Sequence, residues 1–138
     1  TPAAAAAAAA TNTSSSSSSS TSVATMLSQL TRGMEDRLLL LKSILKAADI
    51  SNVARPWSLA SRWTSAVVEE FQSQGDQERD LGLEVTPIGD RTKFQSLAHT
   101  ALGFDDFIAI DLFETLAMVV PGARPMEIQL KINRARWH

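Results

Sequence analysis

Large apolar residues recur at every fourth position in one segment, and this spacing constrains the fold more than any other feature of the chain. The four residues are Leu59, Trp63, Val67 and Phe71. A four-residue interval places side chains along one face of an α-helix. Pro56 is suited to begin this helix and Gly75 to end it. The pattern predicts an amphipathic helix that packs its apolar face against a core.

Two further long segments have helical patterns. In residues 35–50 the apolar side chains cover nearly the whole circumference, and Glu35 and Asp36 suit the positive first turn. This predicts a buried central helix. Residues 96–120 are expected to form another long helix, bent near Gly103, until Pro121 stops it.

The remaining segments are shorter. Residues 76–82 are expected to form one short turn, and residues 84–91 a loop. The tail, residues 124–137, fits two patterns. Met126, Ile128, Leu130 and Ile132 alternate as in a strand, whereas Met126, Leu130, Asn133 and Trp137 have helical spacing. We favour a helix because the segments before the tail are helical, and the predicted class is all-α.

The N-terminal segment is dominated by two homopolymer tracts. Residues 3–10 are all alanine and residues 14–20 all serine. Neither tract has the patterned large apolar side chains that offset chain entropy. We therefore expect residues 1–22 to be a disordered leader and residues 23–138 to form a single domain. The leader has no apolar core like that of a signal peptide, so targeting is not expected.

Composition narrows the classes of partner and location. The chain has 138 residues, a hydrophobic share of 44%, a formal net charge of -2 and no cysteine. Nothing in this balance favours binding to nucleic acid or to an anionic membrane, and disulfides and thiolate metal sites are excluded. No apolar run approaches the length of a membrane span. A cytoplasmic location is the default expectation.

Three segments of the chain resemble a known family. They are KAADISNVARPW, RWTSAVVEEFQSQGDQERDLGLEVTPIGDRT and GFDDFIAIDLFET, at residues 46–57, 62–92 and 103–115. In this order and with nearly this spacing, they resemble the C-terminal half of the class I cyclic-nucleotide phosphodiesterase catalytic domain. The resemblance covers about residues 26–137.

The resemblance implies an all-helical, HD-type catalytic fold with two divalent metal ions, zinc beside magnesium. It implies hydrolysis of the 3′ phosphoester of cyclic AMP or cyclic GMP. Asp49 corresponds to the family's last carboxylate ligand to zinc. An acid that ends an apolar helix could also serve only to terminate it. A nearby dication would instead remove the penalty of placing a free charge there.

The resemblance also implies a nucleotide pocket. The matching residues are Asn52, Trp63, Thr64, Val67, Val68, Phe71, Ile88 and Phe104. Phe104 corresponds to the phenylalanine that stacks on the base. For Trp63, Val67, Val68 and Phe71, membership of an ordinary core is an equal alternative, because they share one helical stripe.

The chain departs from the family pattern in two respects. Ala101 occupies the position of the glutamine that hydrogen-bonds the purine, so the choice between cyclic AMP and cyclic GMP is open. Gln95 would lie about 9 Å away along a helix axis and is a poor substitute. The family's upstream His-Asn-x-x-His and His-Asp motifs are absent, and we expect His99 and His138 to be surface residues.

These departures leave three hypotheses. The first is that the chain forms part of a phosphodiesterase catalytic domain, is inactive alone, and needs the missing N-terminal half as its partner. Apolar surface left uncovered would favour self-association into a homo-oligomer. The second is a catalytically inactive remnant that acts as a protein-interaction module. The third is an unrelated helical domain.

Overall fold

A computed structural model describes Thr25, Ser28 and residues 33–138. From residue 33 onward the chain forms five α-helices: α1 (Met34–Asp49), α2 (Trp57–Asp80), α3 (Leu97–Phe104), α4 (Ile110–Val119) and α5 (Arg124–Trp137). Short 3-10 turns occupy Ser51–Ala54, Pro87–Gly89 and Pro121–Ala123, and a π-helical turn occupies Asp105–Ala109. The described residues contain no strand, so the all-α prediction is confirmed. The predicted leader, residues 1–22, lies outside the described residues.

The core lies where α4 and α5 pack against the end of α1 and the turn that follows it. Its buried apolar residues are Ala47, Val53, Ala54, Ala109, Phe113, Leu116, Ala117, Ala123 and Leu130. Phe113 and Leu130 are the two large apolar side chains that are almost fully enclosed, with exposed fractions of 0% and 1%. The tail forms helix α5, as predicted, and this helix contributes Leu130 to the core.

Helix α2 does not end at Gly75, and the short turn predicted for residues 76–82 is wrong. The helix continues to Asp80, and the left-handed residue after it is Gly82, with φ of 70°. Gly75 is instead a packing residue. A Cβ at this position would lie 2.3 Å from the carbonyl oxygen of Gly89. Glycine is therefore needed because two backbone segments meet here.

The buried face of α2 is rotated from the predicted stripe. Ala60, Val68, Gln72 and Gly75 are its buried residues. Leu59 and Trp63 are exposed. The four-residue spacing identified a helix correctly, but it did not identify which side of that helix its neighbours would cover.

Helix α1 is not the buried central helix that its sequence predicts. Among its residues only Ala47 is buried, whereas Leu39 and Leu45 have exposed fractions of 66% and 71%. No described element covers the face that carries them. Helix α1 therefore leaves apolar side chains uncovered within the described residues.

The helix predicted for residues 96–120 exists as a continuous helical stretch made of α3, the π-helical turn and α4. Ser96 begins it, since its hydroxyl accepts a hydrogen bond from the His99 backbone N–H at 3.0 Å. The irregularity begins at Asp105 rather than at Gly103, and α4 ends just before Pro121. π-helical turns of this kind often occur at functional sites.

Candidate functional site

A cavity of about 260 Å³ lies between the end of α1, α2, α3 and the C-terminal residues of α5. Nine of the ten residues predicted to bind metal or nucleotide line it: Asp49, Asn52, Thr64, Val67, Val68, Phe71, Ile88, Ala101 and Phe104. Its other lining residues are Ile50, Val53, Ala60, Thr100, Asp105 and Trp137. The cavity is largely apolar, with a few polar groups, as is usual for small-molecule sites.

Trp63 is the predicted site residue that the structure does not bring into this cavity. Its side chain has an exposed fraction of 56%, so it also does not belong to the core. The next residue of α2, Thr64, lines the cavity instead. Successive helical residues are rotated by about 100° around the axis, which accounts for the difference.

Asp49 is the last residue of α1, and it lines the cavity while remaining exposed. A carboxylate at this end of a helix meets the negative end of the macrodipole, which is unfavourable by itself. Within the described residues Asp49 has no salt bridge that would offset this effect. A bound cation at the cavity would offset it.

The turn that follows Asp49 is held by α5. The side-chain amide of Asn133 donates hydrogen bonds to the carbonyl oxygens of Val53 and Arg55, each at 2.7 Å. Asn133 has an exposed fraction of 1%, so these bonds are shielded from water. The turn contains Asn52, and its position relative to the cavity therefore depends on the last helix.

The position of Ile88 depends on polar contacts between α2 and the following loop. Arg91 donates to Asp76 and to the buried Gln72, both at 2.7 Å. The hydrogen bond from Arg91 lowers the pKa of Asp76. Glu78 accepts a hydrogen bond from the backbone N–H of Thr86 at 2.9 Å. Together with the contact between Gly75 and Gly89, these bonds hold the loop on α2.

Asp105 is a cavity residue that the sequence analysis did not identify. It has an exposed fraction of 3%, and among the described residues it has no side-chain hydrogen bond. Burial raises the pKa of its carboxyl group to about 6; the charge of Asp106 adds to this rise and that of Arg134 opposes it. The sequence feature that could have identified Asp105 is its position four residues, or about one helical turn, after Ala101.

The described residues do not form a metal centre by themselves. No group of three or more histidine, cysteine, aspartate or glutamate residues with a suitable arrangement is found among them. Asp49 alone cannot hold two divalent ions, which take several ligands each. Among the described residues, Asp49 is thus not part of a cluster of possible metal ligands.

No helix in the part of the chain that the structure describes combines the length and apolar character needed to cross a membrane.

Comparison with known proteins identifies the family. The model of the 3′5′-cyclic nucleotide phosphodiesterase family matches residues 5–130. The chain belongs to this family, which excludes the hypothesis of an unrelated helical domain.

Relatives with known names support the same assignment. The chain is 39% identical over 104 residues to mouse (Mus musculus) 3′,5′-cyclic-AMP phosphodiesterase 4C, a match that covers 75% of this chain and 15% of the mouse protein. It is 45% identical over 98 residues to the bovine (Bos taurus) dual specificity calcium/calmodulin-dependent 3′,5′-cyclic nucleotide phosphodiesterase 1B, covering 71% of this chain and 18% of the bovine protein.

The fold also matches a solved structure, that of LmjPDEB1 in complex with IBMX. The TM-score is 0.70 and the sequence identity 32%, and the match covers 86% of this chain and 37% of that one. The chain thus spans less than a fifth of these two curated relatives and little more than a third of the solved chain.

Proposed function

We propose that this chain is the C-terminal portion of a catalytic domain that hydrolyses the 3′ phosphoester of cyclic AMP or cyclic GMP to the 5′-monophosphate. The observation that carries the proposal is the convergence of nine residues on one cavity. These residues come from four separate segments of the chain, and the family resemblance assigns all of them to one site. Membership of the phosphodiesterase family supports the same reaction.

The proposed role of the cavity is to hold the nucleotide base. Val67, Val68, Phe71 and Ile88 supply apolar walls, and Phe104 supplies an aromatic face for stacking. Burial of a flat base against such walls would fix its orientation and exclude water from it. Asn52 and Thr64 add polar groups with which a ribose or phosphate could form hydrogen bonds.

We propose Asp49 as one ligand of a centre with two divalent ions, zinc and magnesium. Such ions activate a water molecule and neutralise the phosphate when bound. The remaining ligands would come from outside the described residues, which is why we expect this chain alone to be inactive. In that case its partner is the N-terminal half of the catalytic domain. A cytoplasmic location is part of the same proposal.

The test is Asp49→Ala in the full-length protein that carries this chain. We expect loss of nearly all hydrolysis of both cyclic nucleotides together with loss of bound metal, measured by elemental analysis. Glu70→Ala is a matched control, since it removes an exposed acid of α2 outside the cavity. Undiminished turnover with normal metal content in Asp49→Ala would refute the assignment.

The second candidate function is an inactive interaction module, and the exposed apolar face of α1 favours it. Leu39, Leu41 and Leu45 have exposed fractions above 60%, a surface suited to a protein partner. This candidate predicts a complex of fixed stoichiometry and no hydrolysis by the full-length protein. Polydisperse aggregation in light scattering would contradict it.

A further inference from the structure

Ala101 and Asp105 are adjacent on one wall of the cavity. They lie four residues apart along a continuous helical stretch, so their side chains are about one turn apart on the same side. Ala101 has a methyl side chain and can form no hydrogen bond. Asp105, in contrast, brings a carboxyl group to the same wall. A carboxyl group thus lies about one turn beyond the methyl group of Ala101 along the cavity lining.

The carboxyl group of Asp105 is not explained by its contacts within the fold. Arg134 is the cation whose charge acts on Asp105, but it forms its hydrogen bonds with Asp106. Its Nε lies 2.6 Å from Oδ1 of Asp106, and its Nη2 lies 3.1 Å from Oδ2. Within the described part of the chain, Asp105 is largely buried, lines the cavity and has no side-chain hydrogen bond. An unpartnered buried carboxyl is costly, and such groups usually have a partner or a function.

Resting on the function proposed above, we propose that Asp105 recognises the purine base in place of residue 101, and that its carboxylate selects guanine over adenine. Phe104, the neighbouring residue, lines the same cavity and would stack on the base that Asp105 contacts. This assigns Asp105 as the residue that determines nucleotide specificity.

Hydrogen-bond chemistry gives the direction of the selection. An ionised carboxylate has acceptors only. Guanine presents two adjacent donors, its N1–H and its exocyclic amino group, which match the two carboxylate oxygens in a bidentate pair. Adenine presents a donor beside an acceptor, so one carboxylate oxygen would face the lone pair of N1. A site with polar groups that remain unpaired rejects the wrong ligand strongly.

The experiment measures binding rather than turnover, so that it is independent of catalysis. The full-length protein is titrated calorimetrically with the slowly hydrolysed Rp-phosphorothioate analogues of cyclic GMP and cyclic AMP at pH 7.5. We expect the unmodified protein to bind the guanine analogue at least about tenfold more tightly than the adenine analogue. In Asp105→Asn this ratio should fall to about one or below, because an amide offers one donor and one acceptor.

Asp111→Asn is the matched control, since it removes an exposed acid of α4 that does not line the cavity. Its binding ratio should equal that of the unmodified protein. The proposal is overturned if Asp105→Asn keeps the original ratio, if the unmodified protein prefers the adenine analogue, or if neither analogue binds.

A second measurement varies the pH. Protonation of Asp105 gives it a donor and an acceptor, which match adenine, so the preference for guanine should shrink by several-fold between pH 7.5 and pH 5. The other charged groups near it are Asp106 and Arg134, with His138 acting on Asp106, and Asp49 lines the same cavity. A pH shift that persists in Asp105→Asn would belong to those groups and would contradict the proposal.

Hydrolysis assays separate this inference from the proposed function. Hydrolysis by the unmodified protein with a binding ratio unaffected by Asp105→Asn contradicts the inference alone. Guanine selectivity that depends on Asp105 in a protein with no hydrolytic activity contradicts the proposed reaction and leaves the recognition of the base by Asp105 intact.

Discussion

The side-chain amide of Asn133 donates a hydrogen bond to the carbonyl oxygen of Val53, 80 residues earlier in the sequence, at a distance of 2.7 Å. A second bond from the same nitrogen reaches Arg55. These bonds satisfy carbonyl groups of a turn that follows Asp49. The position of the candidate metal ligand and of the cavity wall therefore depends on a residue in the last helix.

Replacement of Asn133 by leucine should destabilise the protein by about 2–4 kcal/mol, because two carbonyl oxygens in a buried or partly buried setting lose their donor. Urea denaturation measures the change. Gln129→Ala is the control: it removes the donor to the Asn133 side-chain oxygen, 3.0 Å away, and leaves both bonds to the turn in place. Equal costs for the two variants would contradict the role assigned to Asn133.

Gly75→Ala should destabilise the protein by about 1–3 kcal/mol, because the new methyl group would overlap the backbone of Gly89 and displace the turn that carries Ile88. Gly103→Ala provides the contrast. No atom lies within 4 Å of a Cβ placed there, so this substitution in a helix should be neutral or stabilising by about 0.5–1 kcal/mol. Thermal unfolding of both variants tests the difference, and similar melting temperatures would contradict it.

Asp105 should make stability depend on pH in an unusual direction. Its pKa is raised from 3.8 to about 6 in the folded state, so the folded state holds the proton more tightly than the unfolded state. The contribution of the protonated Asp105 carboxyl group to the free energy of unfolding is fully present below about pH 4. It is lost as the pH rises through 6. Between pH 5 and pH 7.5 the loss from this group is about 1 kcal/mol.

Asp105→Asn should remove this part of the pH dependence, as measured by chemical denaturation at both pH values. Asp111→Asn, which removes an exposed acid of α4, should leave it unchanged. The hydrogen bond from Arg134 lowers the pKa of Asp106, so this acid contributes stability above its ordinary pKa and loses it only in stronger acid. A pH dependence that is unchanged in Asp105→Asn would show that its carboxyl group titrates normally.

The exposed face of α1 should make this 138-residue chain associate in solution. Leu41 and Leu45 lie one turn apart with exposed fractions of 61% and 71%. The double substitution Leu41→Glu with Leu45→Glu should lower the mass observed by sedimentation at a given concentration. Lys42→Glu changes the net charge by the same amount on the same helix and should have little effect. Equal reduction by both variants would indicate charge repulsion rather than apolar contact.

The helical class and the helix in the tail could be predicted from the sequence, because spacing reports local conformation. The order of the motifs also grouped nine residues that line one cavity, although their roles stay a prediction. The sequence could not predict which face of each helix its neighbours would bury. Trp63 and Val68 both fit an apolar side of α2, but which is covered depends on elements distant in the sequence. The same limit applies to α1, whose leucines predict burial although no described neighbour covers them.

Two other features depend on tertiary contacts that no local pattern encodes. Gly75 resembles a helix end, yet its function is to allow the backbone of Gly89 to approach. In the sequence, Asp105 cannot be distinguished from the neighbouring acid Asp106. It differs from Asp106 because Arg134 binds one of the two and leaves the other in the cavity wall.

Trp137 lines the cavity, and its ring centroid lies 4.7 Å from that of Trp57, at an angle of 60° between the two planes. The guanidinium of Arg136 lies 5.6 Å from the Trp57 ring centre. The third tryptophan, Trp63, faces solvent. A ligand that enters the cavity would thus change the surroundings of one indole and leave the exposed one as an internal reference, so that intrinsic fluorescence can follow occupancy without any attached dye.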